Sequence, residues 1–276
     1  MLDRRRPSCK AGFDMKSTLK ISSVRIRFVF LFALLLLTAT GSSTSLAQTA
    51  TNAVADVSQY PKDPSLLPGK GPAATWSGLP KVWAQCHAKW AQTADQDKGA
   101  VVFLGDSITQ GWNSLARDFP DLHVANRGIG GDTTRGVLYR LNADVLALKP
   151  KAVVLLIGTN DIGNEANPDD VADNIEAILQ TLRKFNPDLP VIVCRVMPRS
   201  DKNLRFVNNI EELNARIDGF VKAQPGVVEC DTWSVLAEPN GGCQPEDFRP
   251  DLLHLNSDGY AKWKAALQPI FTKLAL

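Results

Sequence analysis

The sequence has few of the residues on which metal and redox sites depend. Only three histidines occur among its 276 residues, and its five cysteines include no CxxC pair. A metal-dependent phosphoesterase would need more histidines and clustered carboxylates, and thiolate metal sites need closely spaced cysteines. We therefore predict chemistry that uses no metal and no other cofactor.

Strong charge and long apolar segments are also lacking. The formal net charge is +2, and no basic stripe is interleaved with aromatic residues, so nucleic acid is not an expected partner. The apolar run at residues 28–37 is too short to cross a bilayer, which takes roughly 20 apolar residues. No stable membrane span is therefore expected.

The first 47 residues have instead the pattern of a secretory signal peptide. Basic residues between Lys16 and Arg27 precede the apolar run, and the small residue Ala47 follows it. We expect cleavage near Ala47 and export to the periplasm or the extracellular space, with an uncleaved anchor as the alternative. Translation could begin at Met1 or at Met15, and the sequence does not decide between them.

Residues 48–73 are rich in alanine, threonine, proline and glycine and show little periodicity. Such a composition is typical of a flexible leader. No internal repeat or second domain is evident in the rest of the sequence. We therefore place one folded domain at residues 74–276, which is long enough to bury a sizeable core.

Export would place the cysteines of the mature chain where disulfides persist. Cys194 lies within an apolar run and is expected to be a buried thiol. Cys9 would be removed with the signal peptide, so the mature chain would keep four cysteines, Cys86, Cys194, Cys230 and Cys243, which allow three pairings. The sequence does not choose among these pairings, although we favour a bond between Cys230 and Cys243.

Short apolar runs alternate with amphipathic segments through the domain. The apolar runs predict strands at residues 100–104, 122–126, 152–157, 191–196 and 227–231. Apolar side chains recur at helical spacing in five segments, which predict helices beginning near residues 79, 133, 168, 207 and 257. This alternation predicts an α/β fold, in which helices flank a parallel sheet.

Chemically versatile residues follow these strands at their carboxyl ends. Ser107 comes after the first strand, a glycine-rich turn at residues 128–132 after the second, and Asn160 after the third. Asp251 and His254 come after the fifth strand. Because ligands of open parallel sheets bind outside the carboxyl ends of the strands, we expect these residues to form one site.

Ser107, His254 and Asp251 are the residue types of a serine hydrolase site. A serine at a strand-to-helix turn suits a nucleophile, although the same position also suits a helix N-cap. His254 follows Asp251 by three residues, so one turn can bring the carboxylate to the imidazole. The other histidines, His87 and His123, lie on an expected helix and an expected strand, and are interpreted as structural.

Acyl transfer also needs hydrogen-bond donors for the oxyanion that forms on the substrate. The candidates are the backbone N–H groups of Ser107 and Gly131 and the side-chain amide of Asn160. In an alternative interpretation, the glycines only allow a tight turn between strand and helix, and Asn160 is only a turn residue. The two interpretations of the glycines are compatible, because such a turn leaves N–H groups able to bind an anion.

Four segments in this order resemble the four sequence blocks of the SGNH, or GDSL, hydrolase family. They are GDS at residues 105–107, NRGIGGDTT at 126–134, GTND at 158–161 and DLLH at 251–254. The likeness runs from about Trp76 to the C-terminus. It is greatest to the branch of platelet-activating-factor acetylhydrolase catalytic subunits, through GIGGDTT and the MPR segment at residues 197–199.

This resemblance implies a flavodoxin-like three-layer α/β/α sandwich with a five-stranded parallel sheet, and metal-free hydrolysis of esters. It further implies that Ser107 is the nucleophile and first oxyanion donor, and that Gly131 and Asn160 are the other donors. His254 would be the base, and Asp251 would orient it.

Other interpretations fit the sequence less well. In a dinucleotide-binding GxGxxG motif the third glycine would fall on Thr133, and an ordinary α/β-hydrolase would show GxSxG around Ser107. A non-catalytic carbohydrate-binding protein on the same fold is an alternative of another class, since fold alone does not fix function.

Four side chains near the expected site are candidates for its walls. Trp233 and Phe248 lie in the segment that leads to Asp251, and Trp112 and Arg199 follow other strands. Because no long hydrophobic loop is apparent, we expect a short acyl group, such as acetyl, on a carbohydrate or small alcohol. Lysophospholipase and thioesterase activities are alternatives for the same residues, and the sequence gives no oligomeric state.

Overall fold

The structure is a computed structural model that describes residues 56–74, 76–199 and 204–276. All of these residues fall in the unit Ala53–Leu276. The predicted signal peptide at residues 1–47 and the first residues of the leader lie outside the described residues. Within the described part, no helix is long and apolar enough to cross a membrane.

Five parallel strands form the central sheet, as predicted. They are β1 (Val101–Gly105), β2 (Val124–Gly128), β3 (Ala152–Leu156), β4 (Val191–Cys194) and β5 (Val227–Cys230). Their order is β2-β1-β3-β4-β5, and every neighbouring pair is parallel. The strand order reverses between β1 and β3, which is where open α/β sheets form a ligand crevice.

Helices cover both faces of the sheet, which confirms the three-layer α/β sandwich. They are α1 (Leu79–Ala91), α2 (Ser107–Gln110), α3 (Leu115–Asp118), α4 (Thr134–Asp144), α5 (Thr159–Gly163), α6 (Pro168–Phe185), α7 (Val207–Ala223) and α8 (Ser257–Lys273). Helices α4, α6 and α7 pack on one face, and α8 packs on the other. Every residue of β1 and β3 is buried, which explains their continuously apolar sequences.

The apolar stripe of the helix predicted to begin near residue 133 continues to Leu148, but the helix itself is shorter. Helix α4 ends at Asp144 and is followed by a 3₁₀ turn, Leu146–Leu148. Lys149 then adopts φ 49°, in the left-handed region. Pro150 follows it, and the residue before a proline is disfavoured in the α conformation. The apolar spacing therefore continues past the point where the backbone leaves the helix.

Residues 56–74, which we call the strap, are bound to helices α4 and α6. Asn174 of α6 accepts the N–H of Lys70 and donates to its carbonyl, both at 2.9 Å. Arg135 of α4 donates to four strap carbonyl groups, those of Pro64 at 3.0 Å, Leu67 at 2.7 Å, Pro68 at 3.2 Å and Gly71 at 2.9 Å. These side chains thus bind the described part of the predicted leader to the domain through its backbone groups.

The four described cysteines form no disulfide with one another. The predicted bond between Cys230 and Cys243 is therefore wrong. Cys230 lies beside Cys194 in the paired strands β4 and β5, and the Cys243 thiol donates to the carbonyl of Leu252 at 3.2 Å. Cys194 is buried, as predicted.

Candidate active site

Ser107 begins the one-turn helix α2 directly after β1. Asp106 caps this helix, because its Oδ1 accepts the N–H of Ile108 at 2.9 Å. Tyr260 of α8 donates its hydroxyl to the carbonyl of Ile108 at 2.8 Å. These bonds fix the turn and hold Ser107 at the carboxyl end of the strand.

The side chains of Ser107, His254 and Asp251 form a continuous hydrogen-bonded chain. His254 Nε2 lies 2.8 Å from Ser107 Oγ, across 147 residues of sequence. His254 Nδ1 lies 2.8 Å from Asp251 Oδ2. When the carboxylate holds the proton on Nδ1, Nε2 is left to accept the proton of the serine hydroxyl.

Asp251 and His254 lie in one tight turn. Asp251 Oδ1 accepts the N–H of Leu253 at 3.0 Å and that of His254 at 2.9 Å. Leu252 between them has φ 50°, in the left-handed region that a leucine rarely adopts. The Cys243 thiol binds the carbonyl of this strained residue. The turn therefore folds the carboxylate back onto the imidazole.

Asp251 stays ionised in this turn. Burial raises its pKa, but hydrogen bonds from the His254 N–H, the His254 ring and the Leu253 N–H outweigh that effect and bring the pKa to about 2. An ionised carboxylate at this position stabilises the imidazolium that forms when the ring takes a proton.

The glycine-rich turn after β2 lies beside Ser107. The Gly130 N–H donates to Gln110 Oε1 of α2 at 2.8 Å, and a Cβ on Gly130 would lie 3.8 Å from Ser107 Cβ. Gly131 has φ 82°, a conformation that glycine adopts without steric cost. A Cβ on Gly131 would also lie 2.9 Å from Cε3 of Trp76. Two constraints therefore require glycine at position 131.

Asn160 lies in α5, directly after β3. Its Nδ2 donates to the carbonyl of Asp132 at 2.8 Å, and Asn164 Nδ2 donates to the Asn160 carbonyl at 2.8 Å. An asparagine amide has two N–H groups, so one anchors the side chain and the second can bind an oxyanion. Asn160 and Gly131 line the same cavity, of about 180 Å³.

A buried ion pair connects the strand ends beneath this cavity. Arg140 of α4 donates to Asp132 Oδ2 at 2.8 Å, to the Gly105 carbonyl at 3.0 Å and to the Arg127 carbonyl at 2.9 Å. Burial raises the pKa of Asp132 to about 6, and Arg140 limits that rise. Arg140 thus joins the ends of β1 and β2 to the glycine-rich turn.

Two further carboxyl groups are buried next to the site. Asp161 accepts the N–H of Thr134 at 3.0 Å and its hydroxyl at 2.6 Å, at the start of α4. Burial raises the pKa of Asp161 and of Asp106 to about 7, and the charge of Asp132 contributes to both shifts. Both groups therefore gain a proton near neutral pH.

The four predicted wall residues have different positions. Arg199 lines the 180 Å³ cavity, and its Nη1 donates to the Thr159 carbonyl at 2.7 Å. Trp112 is 2% exposed and Phe248 is 4% exposed, and both lie in the core on the α8 face. Trp233 packs against the core on the other face. The rings of Trp112 and Phe248 thus expose almost no surface to a ligand, and the half-buried Trp233 stays a predicted wall residue.

Trp76 and Arg140 are site residues that the sequence analysis missed. Trp76 lines the same cavity as Asn160 and Gly131, and its sequence surroundings give no sign of this position. The sequence does contain a signal for Arg140. It lies with Asp144 within the apolar stripe of α4, where charged residues are expected only as a buried pair.

The assembled groups match the requirements of acyl transfer, with a hydroxyl, a base, an orienting carboxylate and oxyanion donors. No three His, Cys, Asp or Glu side chains come together to hold a metal ion in the part of the chain that the structure describes.

Comparison with known proteins agrees with this chemistry. Human platelet-activating factor acetylhydrolase IB subunit alpha2 is 34% identical over 203 residues, which cover 70% of this chain and 84% of that protein. A GDSL-like lipase from Bacteroides thetaiotaomicron superposes with a TM-score of 0.60 at 26% identity, covering 68% of this chain and 97% of that one. The lipase/acylhydrolase from Enterococcus faecalis superposes with a TM-score of 0.54 at 25% identity, covering 63% and 95%.

A protein-family model also matches the chain, over a range that contains most of the candidate site. The model of the GDSL-like lipase/acylhydrolase family matches residues 103–262, which include Ser107, the glycine-rich turn, Asn160, Asp251 and His254. Hydrogen-bonded side chains and matched sequence thus lead to the same conclusion: the chain belongs to the GDSL-like lipase/acylhydrolase family and is an ester-hydrolysing enzyme.

Proposed function

We propose that this enzyme hydrolyses short-chain, acetyl-type carboxylic esters of carbohydrates or small alcohols through an acyl-enzyme on Ser107. His254 Nε2 takes the hydroxyl proton while Ser107 Oγ forms a bond to the ester carbonyl carbon. The carbonyl oxygen becomes an oxyanion, bound by the N–H groups of Ser107 and Gly131 and by the Asn160 amide.

The tetrahedral intermediate then collapses. The ester C–O bond breaks as His254 gives its proton to the departing alcohol oxygen, which leaves the acyl group on Ser107. Water loses a proton to His254, attacks the acyl carbon, and releases the acid as Ser107 regains its proton. Asp251, whose pKa is about 2, remains ionised and stabilises the imidazolium in both halves.

The lining of the cavity at the oxyanion donors carries the proposal of a short acyl group, because this cavity of about 180 Å³ has no aliphatic side chain larger than alanine to bind a long chain. Its lining consists of small or polar residues and one indole, namely Ala74, Trp76, Gly131, Asn160, Gly163, Asn164 and Arg199. The name of the human relative, an acetylhydrolase, supports the same preference.

Initial rates on p-nitrophenyl esters with acyl chains of two to twelve carbons test this proposal. We expect the highest kcat/KM at acetate or propionate. A maximum at long chains would indicate a lysophospholipase-like enzyme, and faster cleavage of acetyl thioesters would indicate a thioesterase.

Labelling with a fluorophosphonate probe tests the nucleophile. Ser107→Ala is expected to lose the label and to lower kcat by a factor of at least about 1,000, since the acyl-enzyme cannot form. Ser234→Ala, at an exposed serine, is the matched control and is expected to keep both. An unlabelled, inactive wild-type protein would instead indicate a carbohydrate-binding protein without catalysis.

We also propose that the enzyme is exported after cleavage near Ala47. The support lies in the basic segment, apolar run and small residues of the first 47 positions. N-terminal sequencing of protein from the periplasm or the medium is expected to begin at Gln48. Recovery of the protein in the cytoplasm with residues 1–47 still attached would contradict export.

A further inference from the structure

Trp76, two positions beyond the strap, lies against Gly131 of the glycine-rich turn, yet it is 52% exposed. Its Cε3 is 2.9 Å from the position of a Cβ on Gly131. The indole is therefore in contact with a catalytic turn while much of its surface remains open to a ligand. Large hydrophobic side chains at a protein surface often mark an interaction site when several lie together. Leu66 of the strap, 62% exposed, lines the same groove as Trp76.

Trp76 is shared by two adjoining cavities. The first is the 180 Å³ cavity that contains Gly131 and Asn160. The second, which we call the strap groove, has about 730 Å³ and lies between the strap and helices α1 and α4. Ala74 and Trp76 line both. Ser107 lines neither cavity, but the proposed oxyanion donors Gly131 and Asn160 line the first. A substrate whose carbonyl oxygen lies at these donors thus has room to extend past Trp76 into the strap groove.

The lining of the strap groove combines amphipathic rings with polar side chains. A tyrosine or tryptophan ring offers an apolar face and a polar edge, and a pyranose ring has the complementary form, with C–H groups on its faces and hydroxyl groups on its rim. The aromatic lining residues are Tyr60, Trp76 and Tyr139, and the polar ones are Asp56, Gln59, Lys62 and Ser77. The remaining lining residues are apolar, namely Leu66, Leu79, Pro61, Pro64, Pro80, Ala73 and Ala74. The three rings and four polar side chains favour a sugar as the occupant, and an acyl chain is the alternative that the test below includes.

The position of this groove depends on Arg135. Its guanidinium binds the carbonyl groups of Pro64, Leu67, Pro68 and Gly71 and so fixes the strap that forms one side of the groove. Lys70 of the strap also forms an ion pair with Asp173 of α6 at 2.9 Å. This exposed pair adds little to stability, so Arg135, together with the buried Asn174, supplies the main polar anchors of the strap.

We propose that the scissile acyl ester is carried on an oligosaccharide, and that the sugar residue next to the acylated one stacks on Trp76 and continues into the strap groove. This inference rests on the proposed short-acyl esterase function. Trp76 is then a specificity-determining residue, and Arg135 is a positioning residue that acts through the strap. Both lie outside the four sequence blocks that carry the chemistry.

The test compares O-acetylated oligosaccharides of one to four residues, from xylose, mannose and N-acetylglucosamine, with the enzyme as full mature chain. In at least one series, kcat/KM of the wild type is expected to rise about tenfold or more between one and three residues, chiefly through KM. Each value is divided by the same variant's kcat/KM on p-nitrophenyl acetate, so that general damage to the catalytic site cancels.

Variants then assign the effect to the groove. Trp76→Ala and Arg135→Ala are expected to remove the rise with length, and Trp76→Phe is expected to keep most of it because it retains a ring face. Phe185→Ala removes an exposed aromatic side chain at the end of α6 and is the matched control, with the rise unchanged. Thermal unfolding of each variant verifies that it is folded.

Three results would overturn the inference. One is rapid hydrolysis of p-nitrophenyl acetate with no length dependence in any sugar series, and another is a rise that persists in Trp76→Ala. The third is faster cleavage of acetylated phospholipid analogues than of the oligosaccharides, lost in Trp76→Ala, which would assign the groove to a lipid. A preference for long acyl chains, or no hydrolysis of acetate at all, would instead overturn the esterase proposal on which the inference rests.

Discussion

Arg140 and Asp132 form an ion pair in which neither side chain has any exposed surface. The same guanidinium donates to the carbonyl groups of Gly105 and Arg127, at the ends of β1 and β2. One cation therefore holds together the strand that precedes the nucleophile and the turn that supplies an oxyanion donor. Buried charges of this kind are costly once a partner is removed.

Replacement of Arg140 by methionine is expected to lower the free energy of unfolding by about 3–5 kcal/mol, because Asp132 would be left buried without its cation. Urea denaturation followed by circular dichroism measures this loss. The double variant Arg140→Met/Asp132→Asn should recover part of it. Arg117→Met, at an exposed arginine of α3, is the control and should change stability by about 0.5 kcal/mol or less. A loss below about 1 kcal/mol in Arg140→Met would contradict this role.

Asp251→Asn is expected to lower kcat on p-nitrophenyl acetate by a factor of about 1,000 to 10,000 while the protein stays folded. The side chain is 48% exposed, and an asparagine oxygen can still accept the N–H groups of Leu253 and His254. The amide cannot supply the negative charge that stabilises the imidazolium. Asp258→Asn, at an exposed aspartate nearby, is the control. Activity within tenfold of the wild type would show that Asp251 does not assist His254.

Asn160→Ala is expected to lower kcat by a factor of about 100 to 1,000 with a much smaller change in KM, because the lost donor acts mainly on the transition state. Steady-state kinetics on p-nitrophenyl acetate separate the two constants. Asn113→Ala removes an exposed asparagine and should leave both unchanged. An effect confined to KM would show that Asn160 binds the ground state and not the oxyanion.

The buried carboxyl group of Asp161 predicts a dependence of stability on pH. Its pKa is raised from 3.8 to about 7 by burial, so between these values the folded state binds more protons than the unfolded state. The free energy of unfolding then increases as pH falls from about 7 towards 4. We expect a higher Tm at pH 5.5 than at pH 8, with a smaller difference in Asp161→Asn than in the exposed control Asp121→Asn. An equal difference in both variants would rule out this contribution.

Much of the fold could be predicted from the sequence, because buried faces of strands and long helices show directly as patterns of apolar residues. The strands β1 and β3 are apolar at every position or nearly so, since helices cover both of their faces. The long helices α6 and α8 begin at the predicted residues 168 and 257. The one-turn helices α2, α3 and α5 were not predicted, because four or five residues are too few to show helical periodicity.

The candidate site was also predicted only in part. Ser107, Asp251 and His254 were predicted, because local turns orient them and each lies in a short sequence block. The positions of Trp76 and of the strap depend on contacts with α4 and α6 that no local pattern reports. Trp112 and Phe248 were misplaced for a related reason, since composition does not distinguish an aromatic side chain in a wall from one in the core.

The base and its carboxylate share a four-residue turn, while the nucleophile lies on a different segment, at the start of α2. A small outward displacement of that one loop would abolish hydrolysis, because it would break the contact between His254 Nε2 and Ser107 Oγ. Strands β1 to β5 would remain intact. On heating, loss of turnover should accordingly precede loss of ellipticity, and cooling should restore it. Inactivation of this enzyme would then begin as a reversible opening at residues 251–254.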